Sequence, residues 1–472
     1  MKTDCTEKSF EFQAPGHRQI VARFDGGQIS SDGGLVLLRE VDRHRRLVSR
    51  FASCFEDRRD PNRVEHSVEE LSRQRIFGLA AGYEDLNDHE DLRYDALWAA
   101  AVGKSDPRGT CRRRERDRGK ALAGKSTLNR LEWGLAEEAS EDRYRRIAVN
   151  EAAVDGFFVE VFLESFEKEP ERLVLDLDAT DNPLHGKQEG RFFHGYYDCY
   201  CYLPLYIFCG MHVLCARLRS SDRDASSGCV EELKRIVGQI RKKWPTVKIL
   251  VRGDSGFARE ALMSWCEGHD VDFVLGLARN PRLEAALEDT FELVEQLCAE
   301  SGEPERLYEE FSHSTRSSWS RERRVVGKAE ITNWGPNPRF VVTSLSAKEE
   351  PAQTVYETIY CARGEMENRI KEQQLDLFST RTSGRLMRVN QIRLWFSAVA
   401  YLLLNELRRI ALVGSPLARA RCETIRLKLL KIGARVRVTV RRIWVSLASA
   451  HPSAAVFAHA YDRLLRAGPA VS

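Results

Sequence analysis

Three carboxylate-bearing stretches hold the chemistry this sequence could perform: "LDLDATD" around Asp178, "VRGDSGF" around Asp254 and "YCARGEMENRIKEQQ" around Glu367. Asp178 ends an alternating run, with Leu173, Leu175 and Leu177 on one face and Val174, Asp176 and Asp178 on the other, as in a half-buried strand. Asp254 closes a second apolar run, "VKILVRGD". Around Glu367, the residues Tyr360, Arg363, Glu367, Lys371 and Gln374 recur in steps of three and four, which is one face of a helix. Ligands of α/β sheets collect at the carboxyl ends of strands. Three acidic groups converging there repel one another unless a cation neutralises them. Hard oxygen ligands suit Mg²⁺ or Mn²⁺, and two such ions roughly 4 Å apart activate an attacking oxygen and stabilise a leaving oxygen at phosphorus. Arg363 and Lys371, one turn to either side of Glu367, are spaced to orient it and to hold phosphate oxygens. Tyr360 is spaced to pack against the backbone or hydrogen-bond it.

Each residue also has a plainer reading. Asp178 suits an Asx-turn with Thr180, and Asp254 a turn before Ser-Gly. The helical stripe suits a solvated face with an Arg–Glu and a Glu–Lys pair. Singly these readings win; jointly, at strand ends in this order, catalysis is the stronger. Asp176 rivals Asp178 because it shares the strand face, while Glu365 lies off the stripe and is the weaker rival to Glu367.

The elements that must position these groups follow from period changes. After "RLVLDLDAT", the runs "CYLPLYIFCG" and "HVLCARLRS" form a hairpin at Gly210. A helix over "GCVEELKRIVGQIRKKW", a strand at "VKILVRGD", a helix over "AREALMSWCEGH" and a strand at "VDFVLGLA" come next. Three strands, helix, strand, helix, strand predicts an α/β fold with a mixed sheet. The expected organisation is a helical N-terminal region over 1–150 and a core over 170–279. An insertion over 280–353 carries a helix, a Ser/Arg-rich loop and the strands "RRVVGKAEI" and "RFVVTSL". The core resumes over 354–412, and a basic region fills 413–472, where "RVRVTVRRIWVSL" alternates as a basic strand. Ser67 and Glu70 match a capping box, and the Gly-Gly pairs of "GGQISSDGGLV" are turn residues rather than a phosphate loop.

A net charge of +3 over 472 residues conceals segregation. From Lys104 to Arg130 basic residues outnumber acidic ones ten to three, including Arg112, Arg113 and Arg114; from Asn405 to Arg442 the ratio is eleven to two. Two such blocks point to a polyanion, with nucleic acid the better choice. The twelve cysteines contain no Cys-x-x-Cys, and Cys201, Cys209 and Cys215 fall in apolar runs, which argues against zinc. "MKTDCTEKSFEFQ" lacks an apolar stretch and "LWFSAVAYLLL" is too short to span a bilayer, so the expectation is a cytoplasmic protein with reduced thiols and no membrane partner.

The motifs "LDLDATD", "GYYDCYCYLPLYIFCG", "RGDSGFARE" and "YCARGEMENRIKEQQLDLF" closely resemble the DDE transposases of bacterial insertion sequences, in particular the insertion sequence thirteen-eighty group. "ISSDGGLVLLREVD" and "AAGYEDLNDHEDLR" extend the likeness over nearly the whole chain. The resemblance implies a ribonuclease H-like mixed sheet flanked by helices, a β-containing insertion domain and helical DNA-binding segments before it. It implies Asp178, Asp254 and Glu367 as the metal-binding catalytic triad with Mg²⁺ (or Mn²⁺), in two ions. It further implies cleavage of double-stranded DNA at terminal inverted repeats and joining to target DNA by a homodimer, bound at the nucleoid. Tyr360, Arg363 and Glu367 fit the superfamily's Tyr-Arg-Glu-Lys spacing. The Lys position is Gln374, so the phosphate-holding role is assigned to Lys371. Trp319 or Trp334 of the insertion could stack on a flipped base as in related transposases, although a core position is the better reading for either. The competing functions are a ribonuclease H-like nuclease or junction resolvase, a DNA-binding descendant that no longer cuts, and a metal-free hydrolase with paired carboxylates.

Overall fold

The computed structural model describes residues 9–13, 16–134 and 146–468. These fall into two compact units, one of residues 1–149 with 399–472 and one of residues 150–398. Among the described residues no helix is long and apolar enough to cross a membrane.

The second unit is built on a mixed sheet. Its elements begin with β1 (Arg172–Ala179), β2 (Leu205–Cys209), β3 (His212–Arg217), α1 (Cys229–Lys243), β4 (Lys248–Gly253), α2 (Glu260–Gly268) and β5 (Asp272–Leu277). There follow α3 (Glu288–Ser301), β6 (Arg306–His313), β7 (Arg323–Thr332), β8 (Arg339–Thr343) and α4 (Gly364–Lys371). The strands lie in the order β3-β2-β1-β4-β5-β8-β7-β6. β2 runs antiparallel to β1 and β3, and β4 runs parallel to β1 and β5. The alternation in β1 does what period two requires: Leu173, Leu175 and Leu177 enter the main core. α1 meets them with Leu233, Ile236, Val237 and Ile240, one apolar stripe at helical spacing, and ends on Arg241, Lys242 and Lys243 where cations favour the helix dipole. The hairpin turns at Gly210, whose φ of +55° suits glycine.

Two parts of this sheet depart from the sequence pattern. "CYLPLYIFCG" is two strands, because Pro204 lacks the N–H that a continuous ladder needs. Its first part, Cys199–Tyr202, pairs instead with Phe192–His194 and Asn182–Pro183 in a separate small sheet. Residues 280–353 do not stand apart as a domain: β8 pairs with the open edge of β5, and β7 and β6 extend the same sheet outward. β6 escapes the sequence pattern altogether because it is a half-exposed edge strand, with Glu309 and Glu310 in its middle. The helical stretch of the opening motif runs from Thr354 to Asp376, with wide turns at both ends around a tight turn at Cys361–Arg363 and then α4.

The first unit is mainly helical after short strands, as its sequence predicts, with Leu35–Arg45, Val68–Ala81, Ala96–Val102 and Lys125–Trp133 among its helices. Ser67 and Glu70 form the expected capping box. The basic C-terminal run is a hairpin, Ala434–Val438 with Ile443–Leu447, rather than one strand. Thr439 reverses the chain by binding Arg442 through both its backbone N–H and its hydroxyl, a turn that alternation alone does not reveal. Gly33 and Gly34 are needed for a close approach of two backbones: their N–H groups donate to Ile432 O at 2.7 Å and Leu430 O at 3.1 Å. A Cβ on Gly34 would lie 1.9 Å from Leu429 O and 2.6 Å from Leu430 Cα. Gly34→Ala is therefore expected to lower stability by about 3 kcal/mol, read from the urea midpoint. Gly156→Ala is the control: it sits in helix Glu151–Leu163 with nothing within 4 Å of the new Cβ, so it should be neutral or stabilising. An unchanged midpoint for Gly34→Ala would show that the 429–432 backbone moves aside.

Candidate active site

Asp178 is the penultimate residue of β1 and Asp254 directly follows β4. The strands are adjacent and parallel, with Leu177 opposite Gly253, so both carboxylates leave the same end of the sheet. α4 brings Glu367 to that end. The three line one cavity of about 450 Å³, together with Thr180, His194, Tyr197 and Lys371.

The cluster is acidic, with the Asp178 side chain 14% exposed and that of Glu367 44%. Burial, with Asp254 and Glu367 nearby, pushes the Asp178 carboxyl up to about 7, although Arg363 pulls the other way. Arg363 sits between two of the acids, 3.7 Å from Asp178 Oδ2 and 3.1 Å from Glu367 Oε1. Asp178 Oδ1 accepts the Ala179 N–H at 2.8 Å, not a bond from Thr180. Asp254 Oδ1 accepts the Gly256 N–H at 2.8 Å, so the turn role foreseen for Asp254 coexists with its place in the cavity.

Tyr360 reaches back to the sheet. A Cβ on Gly276 of β5 would come within 2.6 Å of the Tyr360 hydroxyl and 3.1 Å of Ser255 N, so the bare glycine lets tyrosine and the Asp254 turn close on the strand. Lys371 lines the cavity, exposed and, among the described residues, without a hydrogen bond or ion pair; the foreseen Glu367–Lys371 pair does not form. Gln374 donates to Asp181 O at 3.1 Å and Thr180 Oγ1 at 3.4 Å, tying the end of the helical run to the loop after β1. Asp176 is elsewhere: it is buried in a two-pronged pair with Arg252, at 2.6 and 2.8 Å, and does not line the cavity. Glu365 does not line it either.

The remaining candidates do not line this cavity. Arg112 is held by Glu65 at 2.9 Å, and the Arg113 guanidinium donates to Asn62 O at 2.7 Å, whereas Arg114 is exposed. Trp319 is half-buried against the main core, with the Arg323 guanidinium 5.4 Å from its ring. Trp334 is 98% exposed in the turn between Thr332 and Gly335, so the core position expected for it is wrong: a four-residue hairpin end has no interior to fill. His194, Tyr196 and Tyr197 of the small sheet also line the cavity and were not singled out from the sequence. The signal was present in "RFFHGYYDCY", a dense aromatic run in a polar context.

Among the described residues no three His, Cys, Asp or Glu side chains are gathered closely enough to hold a metal ion as they stand. The donor set nevertheless fits a hard dication: all three acids are carboxylates, and burial, with Asp254 and Glu367 adding to it, raises the Asp178 carboxyl, a cost that a bound cation would relieve. What the arrangement offers chemically is carboxylates for cations and the Lys371 ammonium for an anionic ester, on a sheet that fixes two of the acids.

Such a site in such a sheet has a family. The chain belongs to the transposase DDE domain group 1 family, whose model matches residues 12–469. No curated protein matches it. Among solved structures it is similar to a piggyBac transposase synaptic complex with hairpin DNA, with a TM-score of 0.40 and 9% identity over 84% of this chain and 80% of that one. A likeness that distant carries no argument about residues.

The Asp178 carboxyl makes metal-free stability pH-dependent. Its folded-state pKa of about 7 lies above the unfolded value near 3.8. The folded chain therefore holds a proton that the unfolded chain has lost, and stability falls as pH rises from about 4 to 7. Asp178→Asn should remove this fall and stabilise the metal-free protein at pH 8 by on the order of 2–4 kcal/mol. Thermal unfolding across pH checks it; parallel curves for the two proteins would refute it.

Proposed function

We propose that this chain is the transposase of a bacterial insertion sequence, cutting double-stranded DNA at the element's terminal inverted repeats and joining the ends to target DNA. The catalytic unit is ribonuclease H-like, a reading supported by the order β3-β2-β1-β4-β5 with β4 parallel to both neighbours. The observation that carries the function is the meeting of Asp178, Asp254 and Glu367 at one cavity beside Arg363 and Lys371. Mg²⁺ or Mn²⁺ held by the three carboxylates would supply Lewis acidity toward the phosphate and an ionised attacking oxygen. The protein's own part is positional. Parallel strands fix Asp178 and Asp254, the helical run carries Glu367, and Gln374 ties that run to the loop after β1. Lys371, unpaired at the cavity, holds a phosphate oxygen of the strand being cut. Two copies acting on paired ends, in the cytoplasm at the nucleoid, complete the reading.

The test uses purified protein, Mg²⁺ and a duplex bearing the element's end. Asp254→Asn and Glu367→Gln should each lower cutting and joining by roughly 100-fold or more while end binding persists. Cleavage without any joined product would indicate a nuclease instead. Lys371→Ala should slow end cleavage by about 10- to 100-fold, the worth of one charge-assisted hydrogen bond; unchanged cleavage would remove Lys371 from the site.

One observation favours a second reading, a DNA-binding descendant that no longer cuts. Arg363 already pairs with Glu367 and approaches Asp178, and among the described residues no three such groups sit closely enough to hold a metal ion as they stand. Wild-type protein that binds ends but never cuts them with Mg²⁺ or Mn²⁺ would establish that reading.

A further inference from the structure

The C-terminal hairpin of the first unit, Ala434–Val438 with Ile443–Leu447, has two unlike faces. Register pairs Val436 with Val445 and Val438 with Ile443; Val436, Val438 and Val445 pack with Ala96, Leu97 and Val36 in a small apolar cluster. The other face pairs Arg435 with Ser446 and Arg437 with Trp444. All four of those residues are exposed, as are Arg441 and Arg442 at the turn. The Trp444 ring, 45% exposed, lies between two guanidinium groups, 5.7 Å from Arg437 and 5.6 Å from Arg442.

The charge of this face is unanswered by the described residues. No acidic residue occurs between Glu423 and Asp462. Among the described residues none of Arg435, Arg437, Arg441 and Arg442 forms an ion pair. By contrast Arg45, Arg59, Arg73, Arg75 and Arg112 of the same unit are each held by a carboxylate. An isolated fold gains nothing from collecting four like charges on one ribbon, since neighbouring cations repel. The arrangement suits an external polyanion. Side chains two apart on a strand are about 6.8 Å apart, the axial rise of two nucleotides on one strand of duplex DNA, at about 3.4 Å each.

We infer that this hairpin is a duplex-DNA surface, with Arg435, Arg437, Arg441 and Arg442 on backbone phosphates and Trp444 holding two of the guanidinium groups in place. The inference rests on the DNA-processing role proposed above but concerns a surface remote in sequence from the triad. Duplex DNA is favoured over duplex RNA because a two-stranded ribbon fits the B-form major groove, whereas the A-form major groove is too narrow and deep to receive it. Phosphate contacts position without specifying, so the surface contributes affinity for any sequence.

The test is equilibrium binding of the full chain, without divalent cations, to an element-end duplex and to an unrelated duplex over a range of salt. Replacing all four arginines by alanine should reduce the slope of log K against log salt by about 3–4, at roughly 0.9 per lost phosphate contact, equally for both duplexes. The quadruple Arg→Lys variant should keep the slope, which a merely structural role of the arginines would not ensure. An unchanged slope in a folded alanine variant overturns the inference, as does an equal effect on duplex RNA. The two ideas fail separately: end cleavage by wild type with an unchanged alanine slope sinks only the hairpin surface, and a lowered slope without any cleavage sinks only the transposition chemistry.

Discussion

Asp176 and Asp178 leave the same face of β1 into surroundings too dry for a carboxylate to stand alone. Asp176 meets the Arg252 guanidinium squarely, and Arg252 also donates to Ile359 O at 2.6 Å. That pair is consumed by structure, binding the start of the helical run to the neighbouring strand. Asp178 has no such dedicated partner. It shares Arg363 with Glu367, at a distance of 3.7 Å that leaves its charge incompletely met. Two residues of separation thus divide a fixed anchor from an under-neutralised acid, and the rest of the site is arranged around that shortage of positive charge.

The anchor matters because the third carboxylate comes from far along the chain. Between β5 and α4 lie the three strands that extend the sheet, so the helical run must be returned to the strand ends by specific contacts. Arg252 holds its start, Tyr360 closes on Gly276, and Gln374 fastens its end to Thr180 and Asp181. The Lys expected at the Gln374 position would bring a charge to a place where neutral donation to a backbone carbonyl is the observed bond. Lys371, three residues earlier, is the cation left facing the cavity.

How much of this was legible in the sequence depended on whether a feature was local. β1, β4, β5 and their helices follow from period and from turn residues, and the two strand-end Asp residues follow from them. The helical stripe revealed that Tyr360, Arg363 and Glu367 share a face, but not that Tyr360 seats on a glycine of β5. The choice between Asp176 and Asp178 was illegible from the strand itself, because it is made by Arg252 across the sheet. The same holds for Arg112 and Arg113: a basic run reads as free charge until Glu65 and Asn62 are seen to hold it. Pro204 and Thr439 were visible, yet alternation on both sides of each concealed that the strand stops there.

That contrast also gives basic residues a physical criterion. Net charge counts Arg112 and Arg437 alike, but Arg112 faces Glu65 while Arg437 faces a tryptophan on a solvent-exposed ribbon. A cation already paired must break that pair to bind phosphate, and the cost cancels much of the gain. An unpaired one releases only water and counterions. Lys371 at the acidic cavity and the four hairpin arginines meet the second condition, each with no carboxylate of its own among the described residues. Under the proposed function, Lys371 and these four arginines are the cations that a phosphate backbone would meet at the least cost.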